Sequence, residues 1–114
     1  MALTVADVQT LREYIIGVME RADHHGQGVN EIALALVGAI LWRKDENEPI
    51  QVRTHGGETK NVLWVHMGGQ RYAFRYEHNS GEIEMRQENI RGPLVHAFSN
   101  QTSLSDLKQA FEAL

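Results

Sequence analysis

Asn61-Val62-Leu63-Trp64-Val65-His66-Met67-Gly68-Gly69-Gln70-Arg71-Tyr72-Ala73-Phe74-Arg75-Tyr76-Glu77 is two alternating stretches hinged on a glycine pair. Gly-Gly suits the tight turn of a two-residue hairpin, whose central residues need positive φ. That turn pairs Met67 with Gln70, Val65 with Tyr72 and Leu63 with Phe74. On the other face it pairs His66 with Arg71, Trp64 with Ala73 and Val62 with Arg75. The next turn, His78-Asn79-Ser80-Gly81, leads into Glu82 to Gln87 and pairs Tyr76 with Ile83, Phe74 with Met85 and Arg75 with Glu84. Leu63, Val65, Tyr72, Phe74, Tyr76, Ile83 and Met85 then share one face. A slip of one residue would destroy this agreement, because side chains alternate with a period of two.

Upstream, Ile50 to Thr54 alternates as well, and a turn at His55 to Thr59 lets Ile50 and Val52 join the same apolar face. The result is a four-stranded antiparallel meander. Before it come two helical patterns. Thr4-Val5-Ala6-Asp7 fits a capping box, and Val5, Val8, Leu11, Ile15, Val18 and Ala22 recur at helical spacing, widened by Ile16 and Met19. This predicts a helix over about residues 4–24. A second helix is predicted from Asn30, a good N-cap, to Arg43. Its interior, Ile32 to Trp42, is apolar all round and needs cover on several sides. Residues 88–101 are irregular, with Leu94 to Phe98 readable as a short fifth strand or a helical turn. Ser103-Leu104-Ser105-Asp106 is a second capping box, followed by the stripe Leu104, Leu107, Ala110, Phe111 and Leu114. The order α-α-β-β-β-β-α is an α+β fold, with helices on the apolar face of one sheet.

The chain has 114 residues, enough for one domain and one core that buries roughly 65% of the unfolded surface. Two independently folded halves are ruled out. Its 11 Lys and Arg against 15 Asp and Glu give a net charge of −4, without the basic excess of a general nucleic-acid binder. It has no Cys, which excludes disulfides, thiolate zinc sites and Cys nucleophiles. Met1 to Asp7 lacks the basic and apolar regions of a signal peptide, and the apolar run at Ile32 to Trp42 is shorter than the ~20 residues of a membrane span. The expectation is a cytoplasmic protein that does not enter the membrane.

Chemistry motifs are weak. The histidines His24, His25, His55, His66, His78 and His96 show no ligand spacing on one helical face, so no metal is expected. His55-Gly56-Gly57 resembles an esterase oxyanion loop, but no Gly-x-Ser-x-Gly elbow accompanies it. Gly26-Gln27-Gly28 before a helix lacks the strand and Lys of a phosphate loop. No catalytic residue and no cofactor are expected. Arg53, Arg71, Arg75 and Arg86 fall on the face of the sheet opposite the core, near Trp64. Basic and aromatic residues on a sheet are one style of RNA recognition. Here Glu84 lies opposite Arg75, and Glu88 opposite Arg71, so cross-strand ion pairs are the simpler account and nucleic acid is not expected.

The two-helix start, the Gly68-Gly69 hairpin, the His78-Asn79-Ser80-Gly81 turn and the lack of a chemistry motif extend over the whole chain. In this combination the protein resembles the small orphan proteins carried by integron gene cassettes. The resemblance implies a mobile bacterial gene of unknown function and carries over no active-site residue.

The expected function is binding, by a homodimeric protein-interaction or regulatory module. Its contact surface is centred on Trp64, with His66, Arg53, Arg71 and Arg75 around it. Trp and Arg are the types most enriched at binding hot spots. The competing expectation for Trp64 is that Leu94 to Phe98 folds over it. The alternative function is a small-molecule-binding protein or enzyme, with Trp42, Tyr72, Tyr76 and His96 giving polar tips to a pocket between the second helix and the sheet. Self-association is expected from the apolar surface of the second helix and from Ile16 and Met19, which exceed what one small domain can cover.

Overall fold

A computed structural model describes residues 5–24, 28–55, 58–77 and 79–114. The elements are α1 (Val5–His24), α2 (Asn30–Arg43), β1 (Gln51–His55), β2 (Glu58–Met67), β3 (Gln70–Glu77), β4 (Glu82–Gln87), β5 (Leu94–Phe98) and α3 (Leu104–Glu112). The readings that involve Thr4, His25, Gly26, Gln27, Gly56, Gly57 and His78 lie outside the described residues. Among the described residues no helix is long and apolar enough to cross a membrane.

The hairpin register is the one the glycine pair dictates, from Met67 opposite Gln70 to Val62 opposite Arg75. Gly68 and Gly69 take φ of 63° and 81°, the left-handed region that a two-residue turn requires. On the next pair Tyr76 faces Ile83 and Phe74 faces Met85. The inward residues line up across the sheet: Val52, Leu63, Phe74, Met85 and His96 each stand opposite the next.

The sheet has five strands in sequential order, not four. Leu94 to Phe98 is the fifth: it pairs antiparallel with β4, and Phe98, 2% exposed, sits opposite Ile83. A five-residue run cannot be assigned by periodicity alone. The free edge of β4 decides the matter, since its backbone groups need partners. The same pairing removes the segment from Trp64, which lies on β2, three strands away from β5. Both outer pairings are irregular, between Val52 and Thr54 in β1 and between Met85 and Arg86 in β4. Such irregularities blunt sheet edges against pairing with other chains.

All three helices lie on the apolar face. α1 packs on β1, β2 and α2, and α3 packs on α2. Phe111 of α3 sets its ring 6.3 Å from Phe74 and 6.0 Å from Phe98. Leu36, Ile40, Leu63, Val65, Phe74, Ile83 and Phe111 are buried as the sequence predicts, while Ile15 is only half-buried. α1 is turned from the predicted face: Leu11, Tyr14 and Val18 point inward, and Val8 and Ile16 are exposed. α2 buries Ile32, Ala33, Leu36 and Ile40 but leaves Leu34, Gly38 and Trp42 in solvent.

Helix ends are held from far away. Ser103 caps α3 as expected, with its hydroxyl accepting from Asp106 N at 3.0 Å. Asn30 does not cap α2; it is the first helical residue, and no side-chain cap comes from the preceding Val29. Asn100 does the capping: its Oδ1 accepts from Glu31 N and Ile32 N, each at 3.0 Å, and its Nδ2 donates to Asn30 Oδ1 at 2.9 Å. At the other end Arg43 Nη2 donates to the Leu114 main-chain oxygen at 2.6 Å. Asp45 then fastens the α2–β1 loop to the hairpin, its two carboxylate oxygens accepting from Gly68 N and Gly69 N at 2.8 Å each.

Candidate functional site

The face of the sheet away from the helices carries most of the chemistry. Alternation sends Val62, Trp64 and His66 of β2 outward, with Arg71, Ala73 and Arg75 beside them on β3. Arg53 enters from β1 and Arg86 from β4. The guanidinium of Arg71 lies 5.1 Å from the Trp64 ring centroid, and that of Arg53 lies 5.8 Å from it. Both are within cation–π range, which runs to about 6 Å. Trp64 is thus flanked by a cation from each neighbouring strand, with Ala73 directly opposite it. Val62 and Ala73 are 2% and 1% exposed although they face away from the helices.

Not every arginine is equally available. Arg86 grips Glu84 through Nε and Nη2 at 3.1 and 3.2 Å and donates from Nη1 to Gly92 O at 2.9 Å. Arg75 is closely paired with Glu77. These partners lie two residues away on the same strand. The cross-strand pair expected between Arg75 and Glu84 therefore does not form. The one expected between Arg71 and Glu88 does, at 3.8 Å. Two residues on from Trp64, His66 Nδ1 lies 3.6 Å from Glu48 Oε2, in a loop that carries no sequence signal for such a role. Among the described residues no carboxylate pairs with Arg53. Of the four arginines, Arg53 beside Trp64 is thus the one whose charge no carboxylate meets among the described residues.

Two obligate donors on this face, Trp64 Nε1 and Arg71 Nε, are buried without an acceptor, and His66 Nδ1 is likewise buried without a hydrogen-bond partner. A buried N–H left unpaired costs about 1–3 kcal/mol. An indole N–H and a guanidinium N–H can each give only a hydrogen bond, so the group that suits this spot is an oxygen acceptor, best a charged one.

The structure brings Trp64, His66, Arg53, Arg71 and Arg75 together on this one face. It does not bring together Trp42, Tyr72, Tyr76 and His96. Trp42 is 49% exposed near the end of α2, and Tyr76 is sealed in the core at 1%. His96 lines an open groove with Phe98, Asp106 and Ala110, between β5 and α3. The space between α1, α2 and the sheet is filled by Leu11, Tyr14, Leu36, Ile40 and Phe74. Among the described residues no three His, Asp or Glu side chains converge as a metal site would require.

Comparison with known proteins adds one finding. Residues 11–108 match the family model described as "Integron cassette protein VCH_CASS1 chain". No curated protein matches the chain.

Proposed function

We propose that this chain, which belongs to the integron cassette protein family, is a homodimeric protein-interaction or regulatory module whose outer sheet face receives an acidic segment of a partner. One observation carries the reading: Trp64 stands between the guanidiniums of Arg53 and Arg71, with two buried N–H donors lacking acceptors beside it. An incoming carboxylate would supply the missing acceptor and meet the charge of Arg53, which Glu77, Glu84 and Glu88 leave uncancelled. The indole would give the apolar anchor. Homodimerisation is supported by the apolar side chains left in solvent on the helical side, among them Ile16, Leu34 and Trp42.

The test is a titration of the isotopically labelled protein with a Glu- and Asp-rich peptide, followed at the indole N–H signal of Trp64. That signal should move, and Arg71→Gln should reduce the response severalfold. Trp64→Ala should abolish binding while leaving thermal stability almost unchanged. An indole signal that ignores acidic peptides, or a Trp64→Ala protein that unfolds, overturns the reading.

A further inference from the structure

The outward stripe of α2 is Leu34, Gly38 and Trp42, spaced four residues apart on one side of the helix. Leu34 is 61% exposed and Trp42 49%. No charged residue occurs between Glu31 in the first turn and Arg43 in the last. Such i, i+4 rows form the ridges by which helices pack on one another. This ridge has a notch at its middle. A side chain at Gly38 would meet nothing within 4 Å in its own chain, so the fold gives no reason for glycine there. A glycine inside a helix costs about 1 kcal/mol relative to alanine. What the notch offers is close approach by another backbone.

An open groove lies beside the ridge, between the start of α2 and the start of α3. Glu31, Leu34, Ala35 and Leu104 line it, and Leu104 is 69% exposed. Its walls are mixed, with Ile32, Leu34, Ala35 and Leu104 giving apolar surface and Glu31, Asn100 and Thr102 polar groups. Trp42 carries the Arg43 guanidinium 5.6 Å from its ring centroid, an apolar plate with a cation attached. The plate carries a cation and the groove a carboxylate, and they sit toward opposite ends of the same helix. They can meet only between two copies of the chain.

Resting on the homodimer reading above, we propose that two copies join through α2, antiparallel about a two-fold axis passing at Gly38. In that arrangement the position four residues before Gly38 faces the position four after it. Each Trp42 then lies against the Leu34 of its partner and enters the Leu34–Leu104 groove. Each Arg43 cation comes toward the Glu31 carboxylate. The interface is isologous, as a two-fold contact must be. It lies on the helical side, so the Trp64 face of each copy stays open for another partner.

The chain has no cysteine, so a single introduced one reports unambiguously. Gly38→Cys should give a disulfide-linked dimer under mild oxidation, because the axis sets position 38 against itself within the few ångströms a disulfide spans. A mixture of Leu34→Cys and Trp42→Cys proteins should cross-link as a heterodimer in preference to either homodimer. Gln101→Cys, on an exposed turn, should stay uncross-linked. In sedimentation, Gly38→Arg should weaken dimerisation at least tenfold while its melting temperature holds or rises. A wild-type dimer that survives Gly38→Arg and leaves Gly38→Cys uncross-linked overturns this interface but not the homodimer reading. A wild-type chain that stays monomeric at tens of micromolar overturns both.

Discussion

Asn100 Oδ1 accepts the Ile32 backbone N–H at 3.0 Å across 68 residues of sequence. The first turn of α2 is therefore completed by a side chain from the loop after β5. The same side chain takes the Glu31 N–H and donates to Asn30, and its own backbone N–H donates to Gly28 O at 2.8 Å. Asn100→Ala should cost about 1–2 kcal/mol, the usual loss on removing a helix cap. Urea unfolding measures it. A loss below half of that would mean water caps α2 equally well.

Asp45 holds both amides of the Gly68-Gly69 turn at 2.8 Å. Asp45→Ala removes two charge-assisted hydrogen bonds at an exposed site, and the expected loss is roughly 2 kcal/mol. Amide exchange at Gly68 and Gly69 should speed up more than exchange at Phe74, since the turn loosens before the core does. Equal acceleration at all three would count against a local role.

The two turn glycines should differ. Gly68→Ala meets a positive φ and a Leu114 backbone carbon 2.9 Å from the new methyl, whereas Gly69→Ala meets a positive φ in open space. The left-handed backbone alone costs about 1–2 kcal/mol for a residue with a Cβ. Gly69→Ala should show that loss and Gly68→Ala a larger one, read from melting temperatures. Equal losses would mean that the end of the chain yields without resistance.

Phe74 has no solvent exposure and lies in the middle of the Val52-to-His96 row, under the Phe111 ring. Phe74→Ala should cost roughly 3–5 kcal/mol, from lost burial and the cavity left behind. Near wild-type stability by denaturant titration would place Phe74 outside the core.

What the sequence made legible was whatever depended on neighbours. The hairpin register followed from Gly68-Gly69, because the turn leaves the strands one way to pair. The caps divided along the same line. Ser103 and its acceptor role lie within three residues of each other and could be read, while Asn100 and α2 could not. In α1 the amphipathic Tyr14 took an inward place that simple apolar counting gave to Val8 and Ile15. β5 stayed ambiguous because its assignment depends on the vacant edge of β4 rather than on its own five residues. On the outer face, Trp64 and its arginines were placed correctly by alternation. The partner of Arg75 was not: Glu77, two residues away on one strand, competes with Glu84, which Arg86 already holds from two sides.

Both ends of α2 are finished by residues from the last fifteen of the chain, Asn100 at its start and Leu114 at its end. A ribosome makes the helix first and its fastenings last. At roughly 5–20 residues per second, α2 waits on the order of ten seconds for them. During that interval its apolar sides are uncovered by α3, and its first turn lacks the Asn100 cap. The strands between, each paired with the next along the chain, can zip up as they emerge. α2 can pack on α1 as soon as it is made, but its contacts with α3 and its Asn100 cap can form only after the strands have been synthesised.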